Sequence, residues 1–274
     1  MSDSPYTDLD RPPLNERALN RAVVRPGGLW REIRVVEEAG STNVDLAALA
    51  RAGAAPGLVL VAEAQTAGRG RLGRTWTAPP RSGLAFSVLF PPEDTVTRLG
   101  WLPLLAGVAV VSAFRGFTEI EGASRGRMRD AVLKWPNDVL IGDRKLAGIL
   151  AERVDNGIIV GIGLNVSLRA DELPVPTATS LVLEEAPTDR DPLLRAILRE
   201  LARWHAEFRA GGESVLREPY KALCATLGRQ VRVELPDGSV VAGEACDIEE
   251  AGRLVVRAAD GEHLLSAGDV VHVR

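Results

Sequence analysis

The sequence predicts an α+β protein: a mixed β-sheet covered by helices, followed by a small all-β unit. Short apolar runs rich in Val, Ile and Leu crowd the centre of the chain, three longer helical stretches fall near residues 43–52, 101–114 and 191–210, and after residue 227 the texture changes to short strands. At 274 residues there is room for one large domain plus a small one. The expected division is a loosely held arm over 1–30, a main domain over 31–227 and a β-domain over 228–274.

Each element has a local reason. Pro12-Pro13 and Pro26-Gly27-Gly28 punctuate the arm and leave space for about one helical turn around Asn15 to Val23. Ile33 to Val36 reads as a strand, and Ser41 or Thr42 as the cap of a helix that Gly53 stops. Leu58 to Glu63 and Leu84 to Phe90 are further strands, with the apolar helix Trp101 to Phe114 as core packing. Ala131 to Trp135 and Val139 to Ile141 flank a Pro136-Asn137-Asp138 bend. Gly142-Asp143 then turns the chain into a strand from Arg144 to Glu152, and Gly157 to Val166 follows as another. A helical stretch runs from Asp191 to Leu227. Beyond it, strands are expected at 231–235, 240–248, 253–256, 263–266 and 270–273.

Composition narrows the function classes. With 37 acids against 33 bases the net charge is −4, which argues against a surface that tracks nucleic acid as a whole. Cys224 and Cys246 form no CxxC pair, and the three histidines, His205, His263 and His272, are scattered through the C-terminal third. Zinc, disulfide and histidine-based acid–base chemistry therefore have little support. Met1 to Asp10 lacks the apolar segment of a signal peptide, and no uninterrupted run of about 18 apolar residues points to a membrane. A cytoplasmic setting is expected.

Positive charge is instead local. Gly68-Arg69-Gly70-Arg71-Leu72-Gly73-Arg74-Thr75-Trp76 sets three arginines among three glycines, and from Ala64 to Pro92 there are four arginines and no acid. Glycine lets backbone approach a ligand closely, and guanidinium forks suit carboxylate and phosphate. Trp76 offers a flat face for a purine. A second cluster follows in Lys134-Trp135-Pro136-Asn137-Asp138, Lys145-Leu146-Ala147-Gly148-Ile149-Leu150 and Gly161-Ile162-Gly163-Leu164-Asn165-Val166.

With these four segments in this order, and eleven residues from Lys134 to Lys145, the chain resembles the biotin protein ligases. The resemblance covers roughly residues 35–225 and the tail. It implies the class II synthetase-like biotin/lipoate ligase fold for the main domain and an SH3-like barrel for the tail, a stabilising or partner-guiding appendage without chemistry of its own. Fewer than 35 residues precede the catalytic pattern, too few for a winged helix-turn-helix, so the monofunctional type without DNA binding is expected.

The resemblance also implies site roles. Ser41, Thr42, Asn43 and Gln65 would meet the biotin ring system, joined in the biotin pocket by Gly68, Arg69, Gly70, Arg71, Lys145, Gly148 and Leu150. ATP and the adenylate would be held by Arg69, Arg71, Arg74, Trp76, Asn137, Lys145 and Asn165, with Asn137 and Asn165 able to read the adenine edge. All these positions lie between Ser41 and Asn165.

The chemistry asks for such a set. Activating the biotin carboxylate brings two anions together as it attacks the α-phosphorus of ATP, so fixed positive charge must follow the charge of the transition state. Lys145, Arg69 and Arg71 are the expected catalytic groups, the arginines on a mobile loop able to close over the biotinyl-5′-AMP. Lys134 would support Asp138 or the phosphates. None of Asp138, Asp143, Glu152 or Asp155 is assigned as a metal ligand, and Mg2+ is expected on the ATP phosphates. The lysine of a biotin carboxyl carrier domain would then displace AMP, with no enzyme nucleophile. Leu72 stands where the family often has another arginine. The nearest alternative is a lipoate or octanoate ligase or transferase of the same fold.

Overall fold

The computed structural model describes residues 11–92, 96–120 and 126–273. Seven strands form the larger sheet: β1 (Glu32–Ala39), β2 (Leu58–Gln65), β3 (Gly83–Phe90), β4 (Ala131–Lys134), β5 (Asp138–Ile141), β6 (Arg144–Val154) and β7 (Gly157–Asn165), in the order β1-β2-β3-β7-β6-β5-β4. β1 and β2 run parallel, connected through helix α2 (Thr42–Arg51), and all other neighbours are antiparallel. The sheet is mixed, as the sequence predicts.

Side-chain alternation decides which face carries what. Val59 and Val61 of β2, Phe86 and Val88 of β3, and Val160 and Ile162 of β7 belong to the main core. The intervening Leu58, Leu60, Leu89 and Ile159 form a smaller core with Leu46 and Ala50 of α2. The first face is covered by α3 (Val96–Ile120), α4 (Arg190–Gly211) and α5 (Glu213–Leu223). Helix α3 runs past the predicted 101–114 at both ends. Its stretch Leu99–Gly116 has the length and mean hydropathy of a membrane span, but 67% of it is buried in the protein, where it serves as the central core helix.

The N-terminal arm corrects the expectation of loose attachment for residues 11–30. Helix α1 (Glu16–Val23), begun by Asn15 accepting from the Ala18 amide at 3.0 Å, buries Leu19 and Val23, and Trp30 donates to Leu198 O at 2.7 Å. Ahead of it, Arg190 donates to Pro12 O, and the Leu14 amide donates to Glu63. Arg190 and Glu63 are themselves a buried ion pair at 2.7 Å, so the arm completes the hydrogen bonding that two desolvated charges require. Local composition could not reveal this, because the partners lie on β2 and α4.

The second sheet contains β8 (Gln230–Glu234), β9 (Val240–Ile248), β10 (Leu254–Ala258), β11 (Gly261–Leu265) and β12 (Asp269–His272), all antiparallel in the order β11-β10-β9-β8-β12. This suits an SH3-like barrel. Two buried tryptophans tie it to the main domain: Trp101 donates to Glu250 O at 2.7 Å and Trp135 to Gly252 O at 3.0 Å.

Candidate functional site

A cavity opens on the α2 face of the sheet, beyond the end of that helix. Its floor is made of glycines. Gly148 and Gly163 are cross-strand partners on β6 and β7, and Gly161 pairs with Ser87 on β3 and Leu150 on β6. A Cβ on Gly163 would collide with the Trp76 indole, and one on Gly161 with Asn43 Oδ1. The glycines of the Gly161-Ile162-Gly163 motif therefore clear the space in which two predicted site residues sit.

On one side the polar groups are locked to each other. The Thr42 amide donates to Gln65 Oε1 at 2.8 Å, and Thr42 Oγ1 lies 3.2 Å from the same oxygen. Ser87 Oγ is within hydrogen-bond distance of both Thr42 Oγ1, at 2.8 Å, and Asn43 Oδ1, at 2.6 Å. Asn43 Nδ2 donates to Glu152 at 2.6 Å and to Leu150 O at 3.2 Å. This corrects the capping expectation: Ser41 occupies the N-cap of α2, but its side chain makes no capping bond, and Gln65 takes the free helix amide instead. Asn43 lines the cavity, yet its oxygen and amide are committed to protein partners, so it braces α2 against β3 and β6.

The opposite side carries the charge. The Gly68–Trp76 segment is a tight hairpin, with the Gly70 amide donating to Arg74 O at 2.7 Å and the Trp76 amide to Gly68 O at 2.9 Å. Between them Leu72 adopts the left-handed region at φ 55° with its side chain exposed. Arg71 donates to Asn137 Oδ1 at 3.2 Å and Gly268 O at 3.4 Å, and Arg74 is paired with Asp269. The loop is thus latched to the start of β12. Lys145 Nζ is 2.7 Å from Asp138, an ion pair off the hydrogen-bond direction, and 5.9 Å from the Trp76 ring centroid.

These contacts shape the electrostatics. Burial lowers the affinity of the Arg71 guanidinium for its proton, opposed by the charges of Asp138 and Asp269. The Asp269 hydrogen bond raises that of Arg74. Burial pushes the Asp269 carboxyl up, but the Arg74 hydrogen bond and the charges of Arg74, Lys134 and Arg71 together hold it below the usual carboxylate range.

Ser41, Thr42, Asn43, Gln65, Arg69, Gly70, Arg71, Arg74, Trp76, Asn137, Lys145, Gly148 and Leu150 all line this one cavity. Two predicted residues do not. Gly68 is packed where a Cβ would strike the Trp76 carbonyl, so it shapes the hairpin rather than the cavity. Asn165 is buried, donates to Thr179 O at 2.8 Å, and borders a neighbouring cavity that shares Trp76, Asp138 and Lys145 with the first. Sequence reasoning missed Ser87, and it left Gly161, Gly163 and Glu152 without roles although the first two stand in a recognised motif. It also missed Gly268 and Asp269, which bring the C-terminal domain into the wall and overturn the confinement of the pocket to residues 41–165. No local signal marks those two, because the contact is made by domain docking.

A mixed sheet under a glycine-floored polar cavity, an arginine hairpin and an appended barrel define a ligase-type domain of the biotin/lipoate class. The model of the biotin/lipoate A/B protein ligase family matches residues 40–168, and that of the biotin protein ligase C-terminal domain matches 226–273. The chain belongs to the biotin protein ligase family. It is 44% identical over 273 residues to the biotin–[acetyl-CoA-carboxylase] ligase of Mycobacterium tuberculosis, covering 98% of this chain and 100% of that protein. The biotin protein ligase of Aquifex aeolicus, solved in complex with biotin and ATP, superposes with a TM-score of 0.74 at 28% identity, covering 89% of this chain and 100% of that one. The Leishmania major ligase in complex with biotinyl-5-AMP superposes at 0.58 and 26% identity, covering 86% and 98%.

Proposed function

We propose that the protein activates biotin with ATP as biotinyl-5′-AMP and transfers the biotinyl group to a lysine on the carrier domain of a biotin-dependent carboxylase. The observation that carries this reading is the single cavity lined by Thr42 and Gln65 on one side and by Arg69, Arg71 and Lys145 on the other. The first pair supplies the directional polar groups a ureido ring system needs, and the second the positive charge two reacting anions need.

In this account Lys145 leaves Asp138 to bridge the biotin carboxylate and the α-phosphate. The carboxylate oxygen attacks the α-phosphorus, the bond to the bridging oxygen breaks, and pyrophosphate departs. Arg69 and Arg71 offset the charge that builds on the phosphate and shield the mixed anhydride from water, while Trp76 and Asn165 hold the adenine. Asn137, whose oxygen accepts from Arg71 and whose amide donates to Ile149 O at 3.1 Å, braces that arginine instead of reading the base. The neutral amine of the acceptor lysine then attacks the acyl carbon, AMP leaves, and the chain contributes no nucleophile. Asp138 and Asp269 are each engaged by a cation, Lys145 and Arg74, so Mg2+ enters this proposal as part of the ATP substrate, ligated by its phosphates. A cytoplasmic setting, where ATP and carboxylases meet, completes the reading.

The test is avidin-detected transfer of biotin to a purified carrier domain. Labelling that requires ATP and is not competed by lipoate is expected. ATP-independent labelling, or transfer of lipoate in preference, would overturn the assignment.

A further inference from the structure

Lys145 and Asn165 sit on different strands, yet one connecting segment holds both. The Lys145 amide donates to Thr177 O at 2.8 Å, the Thr179 amide donates to Lys145 O at 2.8 Å, and Thr179 O accepts from Asn165 Nδ2 at 2.8 Å. The Leu181 amide closes the set on Asn165 O at 3.2 Å. Thr179 is therefore bonded to both positions.

What holds Thr179 is a buried acid. Glu184, 2% exposed, accepts from Thr179 Oγ1 at 2.6 Å and from Arg144 Nη2 at 2.6 Å, with Arg127 at 3.5 Å from its other oxygen. Arg144 directly precedes Lys145 in β6, so the carboxylate grips the chain on both sides of that lysine's backbone. Such a group is strongly unfavourable in a protein interior unless it is paired and hydrogen-bonded, and here one partner, Thr179, is bonded to Lys145 and Asn165 and another, Arg144, adjoins Lys145 in the chain.

We infer that Glu184 is a positioning residue for the ATP half of the reaction. Through Thr179 and Arg144 it fixes the Lys145 backbone and the Asn165 amide, and it touches neither substrate. The inference rests on the proposed function. It also separates the two substrates, because none of the bonds in this clamp involves Thr42, Asn43, Gln65 or Ser87, the locked side of the cavity.

Biotin-dependent pyrophosphate release and direct biotin titration on the full chain test it, with Thr179→Val, Glu184→Gln and Glu184→Ala. Small displacements of positioning groups are felt strongly in rate, so Glu184→Ala should lose about tenfold or more in kcat/KM for ATP, and the near-isosteric Thr179→Val about threefold. Glu184→Gln, which keeps an acceptor for Thr179 and Arg144, should fall closer to wild type. Biotin Kd should stay within about twofold throughout, since Thr42 and Gln65, which meet the ring system, lie outside the clamp. An unchanged KM and kcat for ATP in Thr179→Val and Glu184→Ala would overturn the inference, as would a loss of biotin affinity in step with the loss for ATP and a falling Tm. If Glu184→Ala does not fold, Thr179→Val alone decides. A wild-type chain that releases no pyrophosphate would sink the functional reading and this inference together, whereas an active wild type with no split in its variants sinks only the inference.

Discussion

The two walls of the cavity are built on opposite plans. On the α2 side, Gln65, Thr42, Ser87, Asn43 and Glu152 form a continuous chain of protein–protein hydrogen bonds across four elements. On the loop side, Arg71, Arg74 and Lys145 each lean on a partner, Gly268, Asp269 or Asp138, that an anionic ligand can replace. The contrast teaches a division of labour. A neutral ring is best read by fixed dipoles, because their orientation is held by the fold and needs no reorganisation on binding, while charge that appears only during reaction is best met by cations able to change partner.

The comparison is broken most severely at Lys145. Lys145→Ala should lower adenylate formation by about 10²–10³-fold, the usual effect of removing a charge-stabilising donor, and leave biotin affinity nearly intact. Pyrophosphate release and a biotin titration on the same preparation check both halves, and release near the wild-type rate would remove Lys145 from catalysis.

The locked wall should fail differently. Asn43→Ala strips Ser87 Oγ of one of its two partners and half-buried Glu152 of its bond to α2, at about 1 kcal/mol of stability per hydrogen bond lost. Biotin Kd should rise with the fall in Tm, because α2 and β6 lose their brace. If Tm holds while affinity drops, Asn43 contacts the ligand itself and the bracing role is wrong.

Loop exchange gives a smaller effect. Arg71→Gly removes a side chain held by Asn137 and the Gly268 carbonyl, so adenylate should still form but escape early, seen as stray biotinylation of an excess bystander protein. Intact synthesis without stray labelling would mean that Arg71 does not retain the intermediate.

The last effect concerns the scaffold alone. His205 is stacked on Phe90 with centroids 4.7 Å apart, and burial, with the charge of Arg209 second, lowers its pKa to about 4. An unfolded histidine takes up its proton near pH 6.5, so between there and about pH 4 the unfolded state binds more protons and stability falls as pH falls. His272, also lowered to about 4 by burial and then by Arg229 and Lys134, acts in the same direction. His205→Phe should flatten the stability slope over that window by at most about 1.4 kcal/mol per pH unit, read from denaturant melts at pH 7 and pH 5. An unchanged slope would mean that His205 is protonated in the folded state.

Much of this was legible in the sequence, for identifiable reasons. The strands of the large sheet announce themselves because β2, β3 and β7 bury both faces and so read as apolar runs, and the hairpin from β5 to β6 is marked by Gly142-Asp143. Most of the cavity side chains come from short motifs of polar and glycine residues. What escaped depended on distant partners. The arm's attachment needs Glu63 and Arg190, the brace needs Ser87 facing Asn43 across the sheet, and the cavity wall needs Asp269 brought in by two tryptophans that dock the barrel. None of those pairings has a local period or spacing to betray it.

The central claim, that one cavity couples a fixed ring-binding wall to an exchangeable cationic wall in order to activate biotin, is tested most directly without any acceptor protein. Exchange of labelled pyrophosphate into ATP should appear when biotin is added to the purified chain, and should vanish without biotin. A protein that binds biotin and ATP but catalyses no biotin-dependent exchange would contradict the account.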